Sequence, residues 1–150
     1  ENSTIKEMDK NTFDKVYKVY GRLSHYFSNR DMSFALPNDL FEDLMAMLSH
    51  DAKQPDFKFS KKETNDVLLK LTESSIEFRD YLSDNTYDYN NHYKVTKRKE
   101  LINKSKEPKI FNQYETEENK LNELLKRMLL EYENLIDSFY KEYTPQSNNK

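Results

Sequence analysis

Asp84, Asp88 and His92 are spaced four and four, so on a helix they would share one face and could hold a divalent ion. Asn85, Asn90 and Asn91 lie among them, and asparagine favours turns over helix, so the better reading is a solvated turn. The other histidines stand apart. His25 lies beside the apolar stripe of the first predicted helix, and His50 follows the second, where it can bond the last carbonyls. Neither His-Glu-x-x-His nor Glu-x-x-His occurs, so the helical zinc and di-iron motifs are missing. With no cysteine there is no disulfide, thiolate ligand or cysteine nucleophile. A single glycine, Gly21, leaves no phosphate-cradling loop and no Gly-x-Ser-x-Gly elbow. The expectation is a non-enzymatic protein with no cofactor, no catalytic residue and no metal ligand.

Recognition chemistry is better represented. Tyr81, Tyr87, Tyr89 and Tyr93 fall close together among asparagines and aspartates. Tyrosine offers a large rigid contact area at low entropic cost, and asparagine offers adaptable hydrogen bonds. The 85–99 stretch reads first as a connection between helices, with some rings folded inward to close the end of the bundle, and second as a docking surface. As a docking surface its residues would be Tyr87, Tyr89, Asn90, Tyr93, Lys97, Arg98 and Lys99.

The 94–109 segment has seven basic and two acidic residues, a net charge of +5, whereas 115–143 carries eight acidic and four basic ones, a net of −4. The basic run is expected to fold over the acidic helix; the alternative is an external anionic partner such as nucleic acid. A net charge of −3 over the chain argues against a whole-surface affinity for nucleic acid or anionic membrane.

These residues need elements to position them. With 34% charged and 35% apolar residues, the core must be a narrow seam, which suits helices with one buried stripe each. One glycine argues against a sheet built on many tight turns. Phe13, Val16, Tyr20, Leu23 and Phe27 step by three and four and predict a helix over 9–28, with Gly21 marking a close crossing. Leu40, Leu44 and Leu48, flanked by Phe41, Met45 and Met47, predict a helix over 37–49. Ser60 and Glu63 form a capping box opening a helix over 60–83, where Ser74 and Ser75 allow a neighbour to approach. Leu121, Leu125, Met128, Tyr132, Leu135 and Phe139 keep a heptad beat over 116–143, beside a second stripe of Leu124, Leu129, Ile136, Tyr140 and Tyr143. Long structureless connections are uncommon, so a short extra helix is expected over 94–104.

The fold expected is all-α, a four-helix bundle with that extra helix in the long connection before the last one. Residues 1–150 form a single domain, with 1–8 and 145–150 frayed. The cysteine-free, Lys-, Asn- and Tyr-rich composition resembles helical surface or secreted domains of low-GC Gram-positive bacteria, a likeness of composition carried by no motif. The chain opens on Glu1 rather than Met, which suggests a removed leader or anchor. The function expected is a helical protein-interaction module, the soluble part of an exported or membrane-tethered protein, with another protein as partner and self-association open. No stretch is apolar enough to span a membrane. The alternative is a cytosolic regulator touching nucleic acid through 94–109.

Overall fold

Four long apolar stripes become four α-helices. The computed structural model describes residues 5–90, 92–96 and 114–143, with Tyr89 described by its backbone alone. Helix α1 spans Glu7–Tyr26 and is followed by a two-residue strand β1, Leu36–Pro37, and by α2, Asn38–Ser49. A short 3-10 turn at Asp51–Lys53 leads to α3, Lys62–Asn85. Strands β2, Thr86–Tyr89, and β3, Tyr93–Thr96, precede α4, Glu115–Tyr143. The described chain is thus mostly helical, with a small sheet in the order β1-β3-β2.

The largest interface between helices joins α3 and α4. They run antiparallel: Thr64 bonds Ser138 at 2.8 Å, and Glu77 pairs with Arg127 at 3.0 Å near the opposite end. The heptad residues of α4 are all buried, against Leu68, Leu71, Phe78 and Leu82 of α3 and Val16, Tyr20 and Leu23 of α1 within one cluster. The second stripe of α4 is covered only in part. Leu124 and Tyr143 are buried, Leu129 and Ile136 are half-buried, and Tyr140 is 57% exposed. Ser74 and Ser75 are buried, as their small size predicts, and Ser75 meets the hydroxyl of fully buried Tyr20. Burial holds that hydroxyl well above the ordinary tyrosine range, and the serine bond offsets only part of the shift.

The structure corrects four expectations. The first concerns the extra helix, since Tyr93–Thr96 is a β-strand; residues 97–104 lie outside the described residues. Strands β2 and β3 pair Thr86 with Thr96, Tyr87 with Val95, Asp88 with Lys94 and Tyr89 with Tyr93. The hairpin needs no glycine because Asn90 takes the left-handed conformation at φ 54°, which asparagine tolerates better than most residues.

The second is the capping box. Helix α3 opens at Lys62, and Ser60 turns to buried Asp9 instead, donating from its backbone N–H at 2.7 Å and its hydroxyl at 2.6 Å. A fully buried carboxylate must find donors, and that need outweighs a local cap worth about 1 kcal/mol.

The third concerns the chain start. Helix α1 begins at Glu7 rather than at the expected Asp9, and Asp9 and Thr12 pin it to the loop before α3. Residues 1–4 and 144–150 lie outside the described residues.

The fourth concerns Gly21. A Cβ there would stand 3.5 Å from the Tyr132 hydroxyl and 3.6 Å from the Tyr17 ring, ordinary contact distances that demand no close crossing. Gly21→Ala is therefore expected to stabilise the protein by about 1 kcal/mol, seen as a rise of about 2–4 °C in a thermal melt. A lower melting temperature would show that the space is not there.

Candidate functional site

The hairpin brings part of the predicted docking surface together. Tyr87 and Tyr93 are 49% and 42% exposed, while Asn90 forms its exposed turn. Its other end is anchored inward. Val95 is buried, and the Thr96 hydroxyl donates to the Glu118 carboxylate of α4 at 2.8 Å. Lys94 bonds Asp88 across the strand pair at 2.8 Å and lies 5.1 Å from the Phe41 ring centroid of α2. The first cation of the basic run is therefore used internally, with its side chain 21% exposed. Lys97, Arg98 and Lys99 lie outside the described residues. The four-residue spacing of Asp84, Asp88 and His92 is not helical, since these residues fall on α3, on β2 and in the hairpin turn.

Beside the hairpin, α1 forms one wall of an open groove of about 930 Å³. Tyr17, Lys18, Gly21, Arg22, His25 and Tyr26 line it from one helical face; Pro37, Asp39 and Leu40 line it from β1 and α2. Arg22 ties the walls together, bonding Asp39 at 3.1 Å and also pairing with Asp43. Arg30 folds back beyond the helix end, donates to the Tyr26 carbonyl at 2.9 Å, and stacks 4.5 Å from the Tyr26 ring centroid. The Tyr26 hydroxyl donates to the Ala35 carbonyl at 2.8 Å. Ala35 holds φ at 117°, a strained value for a residue with a Cβ, and that turn delivers Leu36 and Pro37 to β3.

The Tyr132 ring is buried, and its hydroxyl lies 3.5 Å from where a Cβ on Gly21 would stand. It has no hydrogen-bond partner among the described residues, and burial, with Tyr17 and Tyr140 nearby, pushes its pKa up to about 12. At neutral pH it is a neutral donor. A second hollow of about 550 Å³ shares Pro37 and Asp39 with the groove and extends it to Asn38, Glu42, His92 and Tyr93. Tyr93 is thus common to the hairpin surface and to this extended cleft.

Sequence reasoning missed the groove because its walls come from three separate segments. The one available signal was Gly21, a glycine inside a helical pattern with no packing reason to be there. Among the described residues no cluster of His, Asp and Glu is arranged to hold a metal ion, and no helix is long and apolar enough to cross a membrane. No protein-family model, curated protein or solved structure matches this chain.

Proposed function

We propose that the protein is a non-enzymatic interaction module whose docking surface is the β2–β3 hairpin, carried on a bundle of α1–α4. The observation that carries this reading is the half exposure of Tyr87 and Tyr93 on a hairpin otherwise anchored by Val95, Thr96 and Lys94. Rigidly presented tyrosines bind with little loss of conformational entropy, and such anchors dominate interface energetics. The partner proposed is another protein, and the module is proposed to belong to an exported or membrane-tethered protein.

The test compares the wild-type protein with the Tyr87→Ala, Tyr93→Ala double variant in cross-linking and capture from the source cells and their medium. Loss of two anchor rings is expected to weaken capture of the same partner by roughly 30-fold or more, as for interface hot spots. Substitution of half-exposed side chains is expected to change folding stability by about 0.5 kcal/mol or less per site. Equal capture by a folded double variant would remove the hairpin from the interface.

A further inference from the structure

Arg22, Arg79 and Arg127 each pair with a carboxylate, whereas Arg30 is the one described arginine without such a partner. Lys18 is exposed on the same groove and forms no ion pair among the described residues. Arg22 is shared by Asp39 and Asp43, so with Lys18 and Arg30 the groove and its ion pairs carry a net charge of +1 in a chain of net charge −3. Between these two cations α1 lines the groove with Gly21, Arg22, His25 and Tyr26, with Tyr17 beside Lys18 and Pro37, Asp39 and Leu40 facing them.

We propose that this groove takes an acidic, extended segment of the protein partner, with carboxylates on Lys18 and Arg30 and the backbone passing over Gly21. The inference rests on the interaction reading and adds the chemistry of the segment bound. An extended chain presents alternate side chains to opposite sides, so one set can meet the tyrosine and leucine surfaces while the other meets the cations. Gly21 weakens α1 without any packing return, and its missing side chain lets a backbone pass close to the helix. Glu42 in the adjoining hollow repels further carboxylates, so the acidic part is confined to the α1 side and the continuing chain meets Tyr93.

The probe is a fluorescein-labelled peptide of alternating glutamate and tyrosine, followed by fluorescence anisotropy, with an alternating lysine–tyrosine peptide as control. Saturable binding of the acidic peptide alone is expected, weakening as salt rises. The Lys18→Glu, Arg30→Glu double variant should lose about tenfold or more in affinity, because two attractive contacts become repulsive. Gly21→Ala, whose Cβ stands at ordinary contact distances, should weaken binding several-fold by raising the floor while its melting temperature stays at or above wild type. The Tyr87→Ala variant, altered only outside the groove and the adjoining hollow, should keep its affinity for this short probe, which separates failure of the groove from failure of the hairpin. Equal binding of the basic peptide, or wild-type affinity in the charge-reversed variant, would overturn the proposal. So would displacement of the probe by millimolar citrate, which would assign the groove to a free anion. A dimer in light scattering that the charge reversal dissolves would assign it to a second copy of this chain.

Discussion

Phe139→Ala is expected to cost about 3–5 kcal/mol of folding free energy, the largest single effect in this protein. Phe139 is 6% exposed and sits where three separate parts of the chain meet. Its ring stacks on Phe13 of α1 at 4.0 Å between centroids and on Tyr143 at 4.8 Å, and lies 5.7 Å from Phe59 of the loop before α3. Truncation removes the transfer free energy of a whole ring and leaves a cavity that three aromatic neighbours cannot collapse to fill. Each ring pair adds about 0.5–1.5 kcal/mol beyond area alone, so the estimate belongs at the upper end of the range. Tyr140→Ala is the internal control. Its ring meets Phe139 edge-on at 6.0 Å but is largely exposed, so truncation there should cost about 1 kcal/mol or less. Urea denaturation of both variants measures the difference as a shift in midpoint at constant slope. A cost below about 1.5 kcal/mol for Phe139→Ala would mean that the three parts do not converge on this ring.

Asp9→Ala is expected to cost about 2–3 kcal/mol, large for a polar residue in the first turn of a helix. Asp9 is fully buried and receives both the N–H and the hydroxyl of Ser60. Next to it, the Lys61 N–H donates to the Tyr143 hydroxyl at 2.9 Å, and the Thr12 hydroxyl donates to the Lys58 carbonyl at 3.0 Å. These bonds clasp the start of α1, the entry to α3 and the end of α4. Removing the carboxylate breaks two charge-assisted hydrogen bonds, each worth about 1.5–3 kcal/mol, and water at the exposed Ser60 recovers part of the loss. The gain from no longer burying a carboxylate offsets part of that loss. Asp9→Asn keeps one acceptor oxygen and should cost about half as much, again read from the urea midpoint. If Asp9→Ala were neutral, the clasp would contribute nothing and Ser60 would be free to cap α3 after all.

The four helices were legible because a stripe stepping by three and four can be buried in only one way. Leu121, Leu125, Met128, Tyr132, Leu135 and Phe139 are all buried, and α4 runs Glu115–Tyr143 against an expected 116–143. The hairpin was not legible from glycine count, since Asn90 supplies the left-handed turn that glycine usually provides. The alternation in Thr86–Tyr89 and Tyr93–Thr96 was the available signal, but two four-residue strands bury too little to announce themselves. Of the docking residues named from sequence, Tyr87 and Tyr93 share the hairpin's exposed surface, and Asn90 serves the turn between them.

By itself, the sequence determined which faces of four helices are apolar, because a side chain's place on a helix depends only on its spacing along the chain. It also determined that thiolate and phosphate-loop chemistries are absent, because those depend on residue types the chain lacks. Only the tertiary structure decided that Ser60 serves Asp9 rather than its own helix, that Lys94 is used against Asp88 and Phe41, and that Gly21 lies beside the Tyr132 hydroxyl. Each of those choices joins residues distant in sequence or across a turn. Such partners are selected by the requirement that buried charges and donors be satisfied, and that requirement arises only once the helices have come together.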